Sequence, residues 1–425
     1  MAAWPAGAQA PLSLTLDDAL RRGVETSHRL AAATAGSESA EAAVAVRHAA
    51  SRPLITAQAG ALRTSHIVPF VLELPGNQSQ LIYPDITDNY RTRVDLEWPL
   101  YTGGRLGALE RASRLDADAV QHDVAAAESD LRLEITRAYW AYVTAIESLR
   151  VVQESERRIQ AHVQDLRLRL AAGVVPRSDV FSAEAQQSRQ RMLRIRARTV
   201  RDVAAATLSR LVGLDPGTAV DPVSTLEPPS ALDAALIDLL EQARKQRPER
   251  AALERRVNGA SEQQRAAAAG ARPTIAAEGG LEYGRPNQLF FPREEAWKVS
   301  WRAAVNVSWV VFDGGSTRAQ TAGAAATVRA AEQRLADFDS ALAVEIRQGL
   351  SELESGRAEI DAADDSVHSA AEARRVVEDR FRAGVATSTD VRDAQVALLQ
   401  AELDRTHAIA TARLAEAALF RALGR

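Results

Sequence analysis

Two hydrophobic periods divide the chain. Tyr90, Thr92, Val94, Leu96 and Trp98 alternate with Arg91, Arg93, Asp95 and Glu97, and a period of two puts every charge on one face of a strand and the apolar groups on the other. Trp297, Val299, Trp301, Ala303, Val305, Val307, Trp309 and Val311 alternate in the same way with Lys298, Ser300, Arg302, Ala304, Asn306 and Ser308. Weaker alternations precede each, from Ile55 to Ala61 and from Ile275 to Tyr283. The pattern predicts four strands, over 54–64, 89–101, 274–284 and 296–312, paired as two hairpins. Elsewhere the steps are three and four: Leu131, Ile135, Tyr142, Ile146, Leu149 and Val152, and later Leu335, Phe338, Leu342, Ile346, Leu350 and Leu353. Such steps mark a helix-packing seam of coiled-coil type. Proline, which costs about 3 kcal/mol inside a helix, is absent between Pro99 and Pro176, between Pro176 and Pro216, and after Pro292. Long helices are therefore expected over 103–172, 178–213, 313–382 and 388–423.

A repeat organises these elements. Trp98-Pro99-Leu100-Tyr101-Thr102-Gly103-Gly104 returns as Trp309-Val310-Val311-Phe312-Asp313-Gly314-Gly315, displaced by 211 positions. At that displacement Ala172-Gly173-Val174 matches Ala383-Gly384-Val385, and Ser178-Asp179-Val180 matches Thr389-Asp390-Val391. Upstream the displacement is 220, with Pro53 on Pro273, so the first copy holds nine more residues (220 less 211) before its Trp98. Tandem duplication predicts one copy over 14–213, a Pro-, Asp- and Gly-rich linker over 214–230, and a second copy over 231–424. Each long helix ends at a glycine, Gly173 or Gly384, where a left-handed residue is wanted, and Ser178 and Thr389 are expected to cap the returning helices. Residues 1–13 read as a leader, with Ala8-Gln9-Ala10 in the form of an export cleavage site.

Composition narrows the function. The 425 residues include no cysteine, which excludes disulfides, thiolate metal sites, a cysteine nucleophile and an acylated N-terminal cysteine. A net charge of −4 argues against a nucleic-acid partner. The hydrophobic share is 46%, yet no run of about 18 apolar residues exists, so an α-helical membrane span is excluded while a β-barrel is not. The tryptophans, tyrosines and phenylalanines number 6, 6 and 8, and most fall within 70–101 and 283–312, where a barrel places its interfacial girdles. A soluble hairpin at the end of so long a helix has little to pack against. Four strands alone leave two open edges, which in lipid must pair with other copies.

The duplicated order of strands, aromatic-x-Gly-Gly, long helix, Gly-Val turn and Asp-Val helix over residues 14–424 resembles the TolC-type outer-membrane efflux proteins. The resemblance implies a mainly α fold with a small membrane β part: long antiparallel helical hairpins forming a trimeric α-barrel, and four strands per chain in a twelve-stranded transmembrane barrel. It implies a passive, gated conduit of a tripartite efflux pump or type I secretion system in the outer membrane of a Gram-negative bacterium, reaching into the periplasm. The partners implied are a homotrimer, a periplasmic adaptor, an inner-membrane pump and outer-membrane lipid, with no cofactor and no metal.

Carried onto this sequence, the family's periplasmic gate falls on Asp390 and Asp393, three apart and so on one helix face. In the first copy Asp179 matches Asp390, but Ser182 replaces the second acid. Adaptor docking and gating fall on the tips at Gly173, Val174, Asp179, Phe381, Gly384 and Val385. Phe381 stands where the best-known member has a tyrosine and Ala386 where it has an arginine, which implies closure by packing. From the alternation itself, Val94, Leu96, Trp98, Trp301, Val305, Val307 and Trp309 are expected to face lipid. Asp361, Asp364 and Asp365 read as a solvated acidic face. The seven histidines show no metal-ligand spacing, and no phosphate loop or dinucleotide fingerprint occurs, so no enzyme is expected. The rival reading is a soluble periplasmic coiled-coil scaffold or adaptor.

Overall fold

The computed structural model describes residues 12–76, 78–215, 217–230 and 235–424. In chain order the elements are β1 (Leu12–Leu14), α1 (Leu16–Thr26), α2 (His28–Ala49), β2 (Leu54–Arg63), β3 (Phe70–Leu74), β4 (Gln78–Tyr83), β5 (Asp88–Tyr101), α3 (Arg105–Ala171), α4 (Arg177–Leu211), β6 (Val220–Pro222), α5 (Leu236–Gln246), α6 (Pro248–Ala268), β7 (Thr274–Arg285), β8 (Lys298–Ser308), α7 (Ser316–Arg382) and α8 (Ser388–Ala422). Contacts divide them into two units, described in turn.

One unit spans residues 36–121 and 252–335. Its sheet has the order β2-β5-β7-β8, every pair antiparallel. The two hairpins expected from alternation are thus one sheet joined through β5 and β7. A separate hairpin, β3 with β4, lies in the span that holds the first copy's nine extra residues and was not expected from the alternation. The strand expected over 296–312 ends at Ser308, and Trp309 instead donates its indole N–H to the Ala271 carbonyl at 3.1 Å. Each long helix is capped from the same repeat position. Thr102 Oγ1 accepts from the Leu106 N–H at 3.3 Å, and the Asp313 carboxylate accepts from the N–H groups of Gly315 and Thr317 at 2.9 and 2.7 Å. These bonds satisfy donors that the first helical turn leaves unpaired.

The other unit spans residues 12–35, 122–251 and 336–424. Its largest core cluster gathers Leu131, Ile135, Tyr139, Trp140 and Val143 of α3 with Ala19 of α1 and Leu208 and Leu211 of α4. Ile135 and Tyr139 are fully buried. A second cluster joins Leu342, Ile346 and Leu353 of α7 to Leu239 of α5 and Leu419 of α8. A Cβ built at Gly356 of α7 would stand 3.0 Å from the Ala412 Cβ of α8, so a larger residue there would push the two helices apart by a few tenths of an ångström. Within the span expected to be a linker, β6 pairs in parallel with β1, which itself overlaps the expected leader. Three residues apiece are too few for any period to register. The rest of the leader, residues 1–11, lies outside the described residues.

Candidate functional site: the helix tips and the strand faces

The tips are two copies of one device. At the end of α3, Gly173 adopts φ 74°, its N–H donates to the Leu170 carbonyl at 2.9 Å, and the Val174 N–H donates to the Arg169 carbonyl at 2.9 Å. At the end of α7, Gly384 adopts φ 74°, with Gly384 N–H to Phe381 O at 3.1 Å and Val385 N–H to Arg380 O at 2.9 Å. Both are Schellman turns, in which a left-handed residue lets the last carbonyls find donors. Val174 and Val385 are each left 67% exposed.

The two returning helices start differently. Thr387, not Thr389, is the N-cap of α8, and Asp390 is its partner in a capping box: Thr387 Oγ1 accepts from the Asp390 N–H at 3.2 Å, while Asp390 Oδ2 accepts from the Thr387 N–H at 2.8 Å. Oδ2 also accepts from the Thr387 hydroxyl at 2.8 Å. In α4 the N-cap is Pro176, which has no side-chain acceptor, and Ser178 sits inside the first turn. Both caps stand two residues earlier than expected, at Pro176 and Thr387, since a serine or threonine caps only where the third residue onward offers its N–H.

Hydrogen bonds from Thr387 hold the Asp390 carboxyl below its ordinary pKa. Its neighbour on that face, Asp393, is exposed and meets Arg392 at 3.0 Å. Asp179 occupies the matching first-turn place in α4, within 3.3 Å of the Ser178 hydroxyl.

Beneath the turns the hairpins share a core. Phe381 is buried with Val163, Leu166, Val180, Ala183 and Val391. Its ring meets the His162 ring edge-on at 5.4 Å, and the Arg169 guanidinium lies 4.7 Å over it. His162, which no spacing in the sequence singled out, stands 3.2 Å from the Ser388 hydroxyl. Burial pushes its pKa down, helped by Arg169 and opposed by Asp165 and Glu378. Around Phe381 aliphatic side chains pack with the His162 ring and the Arg169 guanidinium.

In the sheet, residues directly opposed across an antiparallel ladder share a face. Ile55 pairs with Leu96 and Ala57 with Val94; Val94 pairs with Leu281, and Trp98 with Ala277. Leu281 pairs with Trp301, Ala277 with Val305 and Ile275 with Val307. One face is therefore apolar across all four strands. The other carries Arg93, Asp95, Glu278, Glu282 and Arg302, with Arg302 bonded to Asp95 at 2.8 Å. Trp301, Val305, Val307 and Trp309 are 60–75% exposed. The outer edges, β2 and β8, pair with nothing further among the described residues. No described helix is long and apolar enough to cross a membrane.

An apolar face without a cover, two open edges and a tandem helical repeat agree with what the sequence profile of the outer membrane efflux protein family matches, residues 20–214 and 239–425. The chain belongs to that family. Among curated proteins, Protein CyaE of Bordetella pertussis is 26% identical over 270 residues, 63% of this chain and 56% of its own length. The chain thus spans little more than half of that relative. The fold is shared with the outer membrane protein VceC of Vibrio cholerae, 20% identical, TM-score 0.79, over 96% of both chains. It is shared as well with the MtrE outer membrane channel of Neisseria gonorrhoeae in its open state, 20% identical, TM-score 0.80, over 96% of this chain and 88% of that one. The chain thus has a mainly helical fold with some strands, like that of these outer-membrane channels.

Proposed function

We propose that this efflux-family protein is an outer-membrane channel, a passive gated conduit through which an inner-membrane pump and a periplasmic adaptor export their cargo, either as a tripartite efflux pump or as a type I secretion system. Three chains assemble, each giving four strands to a twelve-stranded barrel and its helical hairpins to a periplasmic tunnel. The observation that carries this reading is the sheet, whose apolar face spans all four strands while charge lines the other. In lipid every backbone group needs a partner, so β2 and β8 pair with neighbouring copies. Val94, Leu96, Trp98, Trp301, Val305, Val307 and Trp309 meet lipid.

At the helix tips Asp390 and Asp393, from three chains, form an acidic ring that concentrates cations at the aperture. Asp390 serves two ends at once, since one oxygen completes the capping box and the other is left toward solvent. Gly173 and Gly384 shape the turns that present Val174 and Val385, two exposed apolar groups, to the adaptor. Phe381 and Asp179 belong to the tip packing that opens and closes.

The test is fractionation with gel mobility. The channel sediments with outer membranes, needs detergent for extraction and runs as a heat-sensitive trimer. A monodisperse monomer in plain buffer would support the soluble scaffold instead.

A further inference from the structure

His162 of α3 joins the two helical hairpins. It stands nine residues (171 less 162) before the end of α3 at Ala171, about 14 Å at 1.5 Å per residue. Its Nε2 lies 3.2 Å from the hydroxyl of Ser388, the first residue of α8, and its ring meets Phe381 of α7 edge-on. The repeat does not call for a histidine here. At the displacement of 211 His162 matches Ala373, and Phe381 matches Leu170, so small and aliphatic side chains fill the equivalent places. Packing alone therefore gives no reason for an ionisable ring at this contact.

The half-buried ring lines two cavities, so a proton has a way in. The smaller, of about 30 Å³, is walled by polar groups that include Asp179, Ser182, Gln186, Ser388 and Gln395. A water molecule needs only about 10–15 Å³. The larger, of about 290 Å³, is lined by Arg158, Asp165, Arg169, Glu378 and Arg382.

The charged groups facing the ring are already engaged. On its own helix Asp165 holds Arg169 at 3.0 Å, and Arg158 holds Glu402 at 2.8 Å. From α7, Glu378 meets Arg374 at 3.2 Å and Arg382 meets Asp379 at 2.9 Å. From α8, Arg392 meets Asp393 at 3.0 Å, and from α4, Asp179 has the Ser178 hydroxyl at 3.3 Å. An imidazolium here loses water and keeps Arg169 as a like-charged neighbour over the same Phe381 ring. Asp165 and Glu378 offset only part of that cost, since each is shared with an arginine. With both ring nitrogens donating, Nε2 can no longer accept from Ser388.

We infer that His162 is a proton-operated switch between the hairpins: the neutral ring holds α3 to the start of α8 and the end of α7, and protonation in a mildly acidic medium parts them and opens the tips. The inference rests on the reading that the tips gate the channel, and adds the signal that moves them. In the parted arrangement water covers the ring and its proton affinity is higher, so the equilibrium moves that way as pH falls below the ordinary 6.5. With one such ring in each copy, the ratio of parted to joined hairpins changes by up to about tenfold per pH unit. Asp390, held below its ordinary 3.8, stays charged at such pH, so the switch and the acidic ring act separately.

Single-channel current in planar bilayers reads the switch. From about pH 7.5 to about pH 5.5 at constant salt, a range in which histidine changes charge, the open fraction of the wild type rises several-fold. In His162→Gln, which keeps a donor and an acceptor near Ser388 but takes up no proton, it stays level. Glu378→Gln moves the midpoint of the rise to lower pH and Arg169→Gln moves it to higher pH, opposite shifts that lost packing alone does not give. Asp390→Asn keeps the rise. At the acid end amide exchange in the Gly384 turn is faster in the wild type than in His162→Gln, and at the neutral end the two agree. A rise that persists in His162→Gln or vanishes in Asp390→Asn, or a current without pH dependence, overturns the switch and leaves the channel standing. No current at any pH overturns both. Should His162→Gln fail to assemble, the two midpoint shifts decide: absent or reversed, they overturn the switch.

Discussion

The Tyr142 hydroxyl donates to the Val220 carbonyl at 2.7 Å, tying the long α3 to a three-residue strand 78 positions away. One helical turn earlier Tyr139 makes the same kind of reach, donating to the Leu14 carbonyl at 3.2 Å and accepting from the Ser224 hydroxyl, 2.9 Å away. Together the two phenols hold both strands of the parallel β1–β6 pair against α3. The short strands have too few ladder bonds to stand alone, so tertiary hydrogen bonds to a rigid helix keep them in place. Tyr142→Phe removes one such bond and leaves a buried acceptor unpaired, a loss of about 1–3 kcal/mol. Chemical denaturation of the variant checks this, and an unchanged midpoint would show that water replaces the phenol.

The Thr387–Asp390 box makes a prediction that its counterpart in the first copy does not share. Thr387→Ala removes an N-cap and costs about 1 kcal/mol of helix stability. Hydrogen exchange at the first turn of α8 rises accordingly, while the first turn of α4, begun by Pro176, stays as it is. The Asp390 carboxyl titrates below its ordinary value of 3.8, so its share of stability is complete above that pH and lost as pH falls through the lowered value. In Thr387→Ala the Asp390 titration, followed by carboxyl NMR, moves back up. Equal exchange at the two turns, or an unmoved titration, would contradict the box.

The strands, the long helices and the two glycine turns were legible because each repeats a period or a residue type over many positions. Arg91 to Trp98 could be read as a strand with one charged face from alternation alone, and its partners confirm that face across four strands. The β1–β6 pair was not legible, since Leu-Ser-Leu and Val-Asp-Pro carry no period and meet only through α3. Nor was the α8 cap: Thr387 and Thr389 both stand near Asp390, and which one bonds depends on where the first turn begins. Of the tip residues, Phe381 was named from resemblance, but His162 and Arg169, which pack on its ring, could not be, because their partners lie more than 200 positions away in sequence.

His162 makes the tips sensitive to mild acid. Its pKa is held below the ordinary 6.5 by burial, so the unfolded chain takes a proton first as pH falls below 6.5. Stability contributed by this group is complete above 6.5 and is lost progressively until the folded form is protonated as well. The stability difference between the wild type and His162→Phe therefore shrinks as pH falls from 6.5 through the lowered value of the folded state. A difference that stays constant across that range would show that His162 titrates as it does in water.

The strand faces give the sharpest contrast between neighbouring positions. Val305→Asp puts charge on the apolar face opposite Ala277, whereas Asn306→Asp adds charge to the polar face opposite Ala276. Charge on a lipid-facing midplane position costs roughly 2–4 kcal/mol for a basic residue and less for an acid. Val305→Asp loses the heat-sensitive trimer from outer membranes, and Asn306→Asp keeps it. Equal effects would contradict the assignment of the two faces, and reversed effects would mean that they are exchanged.

Conductance across a planar bilayer tests the central claim most directly. Purified protein is expected to add discrete, stable steps of ionic current, blocked from one side by multivalent cations, with the block weakened in the Asp390→Ala, Asp393→Ala variant. Unchanged block in that variant would remove the two acids from the gate, and a correctly extracted trimer that gives no current steps at all would contradict the channel itself.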